Sequence, residues 1–522
     1  MEMEPGGPSL KKVKLAGVES REEAQATEAP GPDPTASART TQPPPADDGD
    51  EAGVDRISSL PDPILGEIIS LLRTKQGART QILSTRWRHI WRSAPLNLDC
   101  RRLANDGHEL DGVVAHIIST HPGPGRRFRI PAHYLQDRAA KVDAWLRSRT
   151  LDRLQELEFC HVWNYRPLDL PRLPPLALPP ASAFRFSPTL RVLTIGRCLL
   201  RGSTIEELHL PQLKQLGLEW VSISEGTLRN LIARCPALEC LLIYYIFGLR
   251  CARINSPGLI SIGVRRPLRE LGANAPFVER LLHAAQDKDE LPLRELVIEN
   301  APCLERLLRV DILDGLLVSV ISAPKLHTLG SLYGEMYLSS TILQRLPNDS
   351  LMTVVGTVKV LSVDIPCLDI RTTIELMRCF PFLEKLYIQQ SIGGDLNLWK
   401  RKHQNLFKCL DIRLKTVVMQ SYRGIRAQVN FATFFILNAK ALELMRFEVD
   451  ANHYSQGFLA EQRKELLLDK RASRGARFCF QTGRPLRCYS EINNVRDLDL
   501  SDPFICKRRT QVRSAQEFFL PI

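Results

Sequence analysis

The chain has 522 residues, of which 44% are hydrophobic and 25% charged, and it carries a formal net charge of +12. That length exceeds what one compact core fills unless much of it is a repeat array, and the apolar fraction is enough for a folded body. The longest apolar run, LECLLIYYIFGL from Leu238, is about half of the roughly 20 residues that a membrane-spanning helix requires. The 13 cysteines are scattered singly from Cys100 to Cys506 without a C-x-x-C pair. They read as small buried hydrophobes of a reducing compartment, and no metal or other cofactor is expected. The opening MEMEPGGPSLKKVKL has no apolar h-region, so no secretory signal is expected and the Asn348-Asp349-Ser350 sequon should stay unmodified.

Residues 1–53 are rich in Pro, Ala, Gly, Glu and Asp, including Pro43-Pro44-Pro45 and the acidic run Asp47-Asp48-Gly49-Asp50-Glu51. Disorder is expected there. Lys11-Lys12-Val13-Lys14 is a candidate nuclear import signal, and the expected location is nucleus, cytoplasm or both.

From residue 54 to 98 the pattern becomes helical. Pro63 follows Leu60-Pro61 where a first-turn proline has no hydrogen bond to lose, so a helix is predicted from about Asp62. Ile64, Leu65, Ile68, Ile69 and Leu72 recur at helical spacing. A helix this short needs partners; Ala78 and Ile82 offer a second apolar face, and Trp87, Ile90 and Trp91 a third. Gly66 and Gly77 interrupt the first two helices, each costing about 1 kcal/mol relative to alanine. The opening D-R-I-S-x-L-P-D, the I-L-x-x-I-I-S-L-L helix, T-K-x-x-x-R-T-x-I-L-S and R-W-R-x-I-W-R-S together resemble an F-box. The resemblance implies docking to a Skp-type adaptor, and through it to a cullin-RING ubiquitin ligase, by Leu60, Pro61, Ile64, Leu65, Ile68 and Leu72.

Residues 99–149 read as a connecting helical region with a loop at His121-Pro122-Gly123-Pro124-Gly125-Arg126, and a proline-dense stretch at 170–180 reads as a second loop. Over 150–405 the motif L-x-x-L-x-(apolar) returns: Leu154/Leu157/Phe159, Leu190/Leu193/Ile195, Leu213/Leu216/Leu218, Leu238/Leu241/Ile243, Leu259/Ile262/Val264, Leu293/Leu296/Ile298, Val358/Leu361/Val363 and Leu383/Leu386/Ile388. From Leu190 the first copies step by 23, 25 and 21 residues, which are leucine-rich-repeat intervals. The alternation at the end of each copy describes a short strand with one buried face, which a single repeat cannot bury alone. Helical pieces such as Glu225–Arg234 lie between, ended by Cys235-Pro236, Ala301-Pro302 or Phe380-Pro381.

Two further copies, Leu414/Val417/Met419 and Leu442/Met445/Phe447, flank Tyr422-Arg423-Gly424 and an apolar helical run containing Phe431, Phe434 and Phe435. This stretch, 406–450, resembles the FBD segment of plant F-box proteins, in which a strand, a turn and a helix continue the array. The resemblance implies an α/β architecture: a small three-helix F-box module, a leucine-rich-repeat solenoid of strand plus helix per repeat, and a closing FBD-like segment. Residues 451–522 are a basic C-terminal region, with Arg471, Arg474, Arg477, Arg484, Arg487 and Lys507-Arg508-Arg509.

No G-x-S-x-G, H-E-x-x-H, Walker or kinase motif occurs, so no catalytic residue is assigned. The resemblance implies a non-catalytic substrate receptor, one copy per ligase, whose target is not named by any motif. The alternative from a different class is a nuclear or nucleic-acid-associated scaffold acting through the basic C-terminal region. Trp220, Tyr244, Tyr245 and Phe247 follow repeat strands and are candidates for a recognition surface, while alternation alone assigns half of them to the core.

Overall fold

In the computed structural model the polypeptide reads as a ladder of near-identical steps. The structure describes residues 57, 59–101, 103, 107–160, 176–206, 208–265, 293–308, 316–333, 356–365, 368, 370–390, 411–450, 454–483, 492, 494–504 and 517–519. Lys11–Lys14, the Asn348 sequon, Arg484, Arg487 and Lys507-Arg508-Arg509 lie outside these residues. From Leu60 onward the chain is one compact unit.

Three helices come first: α1 (Asp62–Leu71), α2 (Thr74–Arg79) and α3 (Thr85–Ser93). Strands follow in chain order. The first half holds β1 (Leu96–Asp99), β2 (Gly125–Pro131), β3 (Glu156–Cys160), β4 (Val192–Gly196), β5 (Leu199–Leu200), β6 (Gln215–Ile223), β7 (Cys240–Phe247), β8 (Cys251–Asn255) and β9 (Ser261–Arg265). The second holds β10 (Glu295–Asn300), β11 (Arg306–Leu308), β12 (Leu317–Val320), β13 (Thr328–Tyr333), β14 (Val360–Ile365), β15 (Lys385–Gln390), β16 (Thr416–Tyr422), β17 (Leu444–Asp450), β18 (Arg477–Gly483) and β19 (Glu517–Phe519).

Among the described residues these strands form a 16-stranded sheet in the order β1-β2-β3-β4-β6-β7-β9-β11-β13-β14-β15-β16-β17-β18-β19, with β5 beside β6. Its pairings are parallel except for the last, β18 with β19, which is antiparallel. The register explains the sequence pattern. One apolar position of each strand pairs with the same position of the next: Leu98, Phe128, Leu157, Leu193, Leu216, Leu241, Ile262, Leu307, Leu329, Leu361, Leu386, Val417, Met445 and Phe478. All of them are buried. Stacking thus gives each repeat the apolar wall it lacks alone.

Three features depart from the pattern. The parallel sheet begins at Leu96, before the expected end of the helical module at residue 98; β2 lies inside the stretch 99–149 expected to be a helical connector, and a further repeat lies in the basic region, where β18 follows a helix. In addition, the Leu293/Leu296/Ile298 copy belongs to a separate three-stranded parallel sheet, β12-β10-β8. The main sheet takes Leu307 at that step instead. Both sheets bury one face in the same core, so both demand the same alternation, and the sequence cannot tell them apart.

Among the described residues, the strands of that second sheet lie on the return paths between β7 and β13. Elsewhere the return path between main-sheet strands runs through α4 (Gly107–Thr120), α5 (Tyr134–Asp137), α6 (Ala139–Leu146), α7 (Gly202–Glu206), α8 (Glu225–Ala233), α9 (Ile370–Cys379), α10 (Arg426–Asn438) and α11 (Gln456–Glu465). Serine caps start two of them: the Thr227 amide donates to Ser224 Oγ at 3.2 Å and the Phe458 amide to Ser455 Oγ at 3.1 Å. Helix α8 then buries Leu228, Leu231 and Ile232 against the sheet.

The strands also change phase at a repeated height. Trp220, Tyr245 and Ser421 adopt left-handed backbone with φ of 60°, 52° and 54°, as does Arg197 just past β4 at 53°. Each such residue costs about 1–2 kcal/mol, and each resets the alternation. In β6, Leu216 and Leu218 face the core, but after Trp220 the core residues are Val221 and Ile223. In β16, Tyr422 enters the core after Ser421 in the same way. Trp220, Tyr244, Tyr245 and Phe247 are thereby turned out of the main core into a cluster of their own, with the Trp220 and Tyr245 rings 4.5 Å apart.

Candidate docking surfaces

Helix α1 starts where the prolines dictate. Pro61 is its extended N-cap, Pro63 sits in the first turn, and the Pro61 carbonyl accepts the Ile64 and Leu65 amides at 3.0 and 3.1 Å. Arg86 of α3 fixes this start, donating through Nη2 to the Leu60 carbonyl at 2.6 Å and through Nε to Asp62 Oδ1 at 2.8 Å. The core of the module is small: Leu65, Ile69 and Ile90, with Leu60, Trp87 and Trp91 packed half-buried against it. Gly77 brings α2 against the Trp91 ring, because a Cβ there would lie 2.5 Å from Cζ3.

The module is fastened to the first strands of the sheet. Thr74 Oγ1 donates to the Asn97 carbonyl and accepts the Asp99 amide, both at 2.9 Å. Arg126 of β2 pairs with Glu67 at 2.6 Å and donates to Ser70 Oγ. His121 Nε2 meets the Ala94 carbonyl at 3.0 Å while its ring sits edge-on to Trp91. Burial pulls the His121 pKa below its usual value, against the opposing pull of that carbonyl.

The six residues assigned to adaptor binding divide. Leu65 is fully buried and builds the module's own core, and Leu60 is half-committed to it; Pro61, Ile64, Ile68 and Leu72 are exposed. Ile64, Ile68 and Leu71 make one stripe at helical spacing, about a third of a turn round the helix from the Leu65 and Ile69 stripe. Leu71 is 81% exposed, and sequence reading missed it because the inner stripe accounts for the periodicity. Ile82 was expected to close the second helix face but is 84% exposed, next to the exposed Leu83. It falls in a 3-10 turn, Thr80–Ile82, where helical spacing no longer holds.

The second surface is the face of the main sheet turned away from the return helices. Val192, Cys240, Leu242, Leu308, Tyr387 and Val418 form an apolar track there, and Ile492, Val495, Leu498 and Phe504 lie buried upon it. The segment 494–504 therefore crosses the repeats as a strap. At one end the Arg496 guanidinium binds Glu156 and Glu158, at 2.9 Å from the latter. At the other, Lys385 Nζ and Tyr387 Oη both reach Asp502 Oδ2 at 2.5 Å. The sheet also donates to backbone carbonyls before, between and beyond these two ends: Arg265 to Ile492 at 3.3 Å, Arg306 to Leu500 at 2.7 Å and Gln420 to Phe504 at 3.3 Å. Gly263 leaves the seat for Leu498, whose Cδ2 would lie 2.7 Å from a Cβ there.

The charges of this face are set by their neighbours. Burial raises the Glu158 carboxyl, but Arg129, Arg127 and Arg496 outweigh it and hold the pKa at about 2. Burial and then the Asp502 carboxylate push the Tyr387 hydroxyl well above its usual range. At neutral pH Glu158 therefore stays ionised and Tyr387 stays neutral, a hydrogen-bond donor to Asp502. None of this was legible in the sequence, since Arg496 and its glutamates are 338 and 340 positions apart.

Three family models match the sequence: "F-box domain" over residues 57–99, "FBD-associated F-box protein At5g56370, LRR repeats" over 142–388, and "FBD" over 402–447. The chain is similar to the FBD-associated F-box protein At5g60610 of Arabidopsis thaliana, 28% identical across 75% of this chain and 98% of that protein. It is also 32% identical to the Arabidopsis thaliana F-box/FBD/LRR-repeat protein At1g51370, over 36% of this chain and 40% of that one. With the F-box/LRR-repeat protein At2g42720 of the same organism the identity is 29%, over 41% of this chain and 48% of the relative. Among solved structures, the crystal structure of a TLR13–ssRNA13 complex aligns at TM-score 0.26 and 13% identity, covering 63% of this chain and 46% of that one.

Proposed function

Because the chain belongs to the F-box/leucine-rich-repeat/FBD family, we propose that it is a substrate-recognition subunit of an SCF-type cullin-RING ubiquitin ligase. Its helical module docks a Skp-type adaptor and its repeat array holds the protein to be ubiquitylated. The chain itself performs no covalent step; it raises the effective concentration of a target lysine near the charged conjugating enzyme.

One observation carries this reading. The module has spent Leu65, Ile69 and Ile90 on its own core and still presents Ile64, Ile68, Leu71, Leu72, Ile82 and Leu83 to solvent. Contiguous apolar surface of this kind marks an interface, and a helix stripe of i, i+4, i+7 anchors suits a groove on a partner.

The test is co-purification of the full chain with a Skp-type adaptor beside the variant Ile64→Glu/Ile68→Glu. Both residues are exposed, so the variant is expected to keep its melting temperature while adaptor binding falls at least tenfold and the wild-type complex survives raised salt. A folded wild-type chain that fails to bind at micromolar concentration would overturn the proposal.

A further inference from the structure

The strap is itself a small folded element. Val495–Asp499 is a 3-10 turn closed at its start by a reciprocal cap: Asn494 Oδ1 accepts the Arg496 amide and Asp497 Oδ2 accepts the Asn494 amide, both at 3.0 Å. With three residues per turn, positions i and i+3 share one side. Here they are Val495 and Leu498, both fully buried on the sheet. Ile492 and Phe504 are buried before and beyond the turn, and Leu498 fills the seat over Gly263. The sheet is equally committed. Val192, Cys240, Leu242, Leu308, Tyr387 and Val418 come from β4, β7, β11, β15 and β16, and among the described residues their apolar cover is the strap.

A repeat array couples each strand only to its neighbours, so its segments can open separately. The strap adds couplings between strands that do not touch: Arg496 reaches β3, Leu498 β9, the Leu500 carbonyl β11, Asp502 β15 and the Phe504 carbonyl β16. We propose that the strap is a permanent latch, closed last in folding, that makes β3 through β16 one cooperative unit; a chain without residues 492–504 would leave the array loose and its apolar track exposed. The order follows from position. Arg496 comes 338 positions after Glu158, and a loop of that length closes at acceptable entropic cost only once the strands between have paired. Integrity of the array thus depends on the last-made part of the chain, whatever the array binds.

Hydrogen exchange followed by mass spectrometry on the full chain tests the latch. In wild type, protection factors of the strap, β3, β7, β9 and β15 are expected to agree within about tenfold. In Val495→Asp/Leu498→Asp, which sets two carboxylates on the apolar track, protection of β3, β7 and β9 should fall at least about a hundredfold and by a different factor in each strand. Phe431→Ala, in the core on the other side of the sheet, should instead lower all of them by one common factor, because the strap is still in place. Strap amides about a hundredfold less protected than the strands in wild type would mark a loose appendage and overturn the proposal. A folded double variant whose strands keep wild-type protection would overturn it too. Should the double variant not fold, Phe431→Ala decides: unequal losses across β3, β7, β9 and β15 sink the latch, and a common loss supports it.

Discussion

Single residues decide matters here that composition treats alike. Gly66 and Gly77 both interrupt short helices, and by propensity both are liabilities. A Cβ at Gly66 would find Ala94 Cβ at 3.8 Å and Ile90 Cγ2 at 3.9 Å, ordinary contacts, so Gly66→Ala should raise stability by up to about 1 kcal/mol. At Gly77 the added carbon collides with Trp91, and Gly77→Ala should cost about 1–3 kcal/mol through that displacement. Thermal melts of the two variants, shifting in opposite directions, would check the pair. His133 gives a pH signature. Burial, with Arg197 and Arg138 adding to it against Asp137, lowers its pKa from 6.5 to about 4. The unfolded chain therefore takes up a proton that the folded chain refuses, and stability present above pH 6.5 is lost as pH falls toward 4. Between pH 7.5 and 5 the loss amounts to as much as about 2 kcal/mol. Urea unfolding at the two pH values should show it in wild type and a smaller loss in His133→Asn.

At the scale of elements, the repeat strands were the most legible part of the chain, since every copy of the leucine motif is buried and all but one stands in the main sheet. What hid was whatever breaks the period. The left-handed Trp220 and Tyr245 invert the alternation partway along β6 and β7, so an aromatic set that alternation divides between core and surface ends as one cluster outside the core. The FBD-like stretch was readable because its helix carries so much apolar surface: Phe431 and Phe435 are fully buried in α10, with ring centroids 5.0 Å apart. Phe431→Ala should cost about 3–5 kcal/mol by denaturant unfolding, whereas Leu71→Ser, on the exposed stripe of α1, should change stability by less than about 0.5 kcal/mol. The contrast separates residues spent on folding from residues left exposed on the stripe proposed for the adaptor. The candidate site was half-readable for the same reason: α1 has two apolar stripes, and periodicity alone cannot say which faces inward.

The whole molecule joins pieces that the sequence presents as separate. The strap ties the last tenth of the chain to β3, so a region read as basic surface is in part an internal counter-charge, Arg496 on Glu156 and Glu158. The helical module, likewise, is not a free bead on a linker. Its core holds three fully buried side chains, and Thr74, Ser70 and Glu67 spend polar contacts on β1 and β2. Excised as residues 55–98 it should be largely unfolded by circular dichroism, while the same residues in the full chain remain protected from hydrogen exchange. The dependence also runs the other way. A sheet of this size ends in an unpaired edge strand, whose free amides and carbonyls invite a neighbouring molecule to add itself. At the far end the antiparallel β19 covers β18 and leaves an edge strand only three residues long. At β1 the invitation is withdrawn by Thr74, whose hydroxyl occupies the outward Asn97 carbonyl and Asp99 amide as a neighbouring strand would. The helices proposed to dock an adaptor therefore also cover the first edge of the sheet, and a chain lacking them should be prone to join its copies edge to edge.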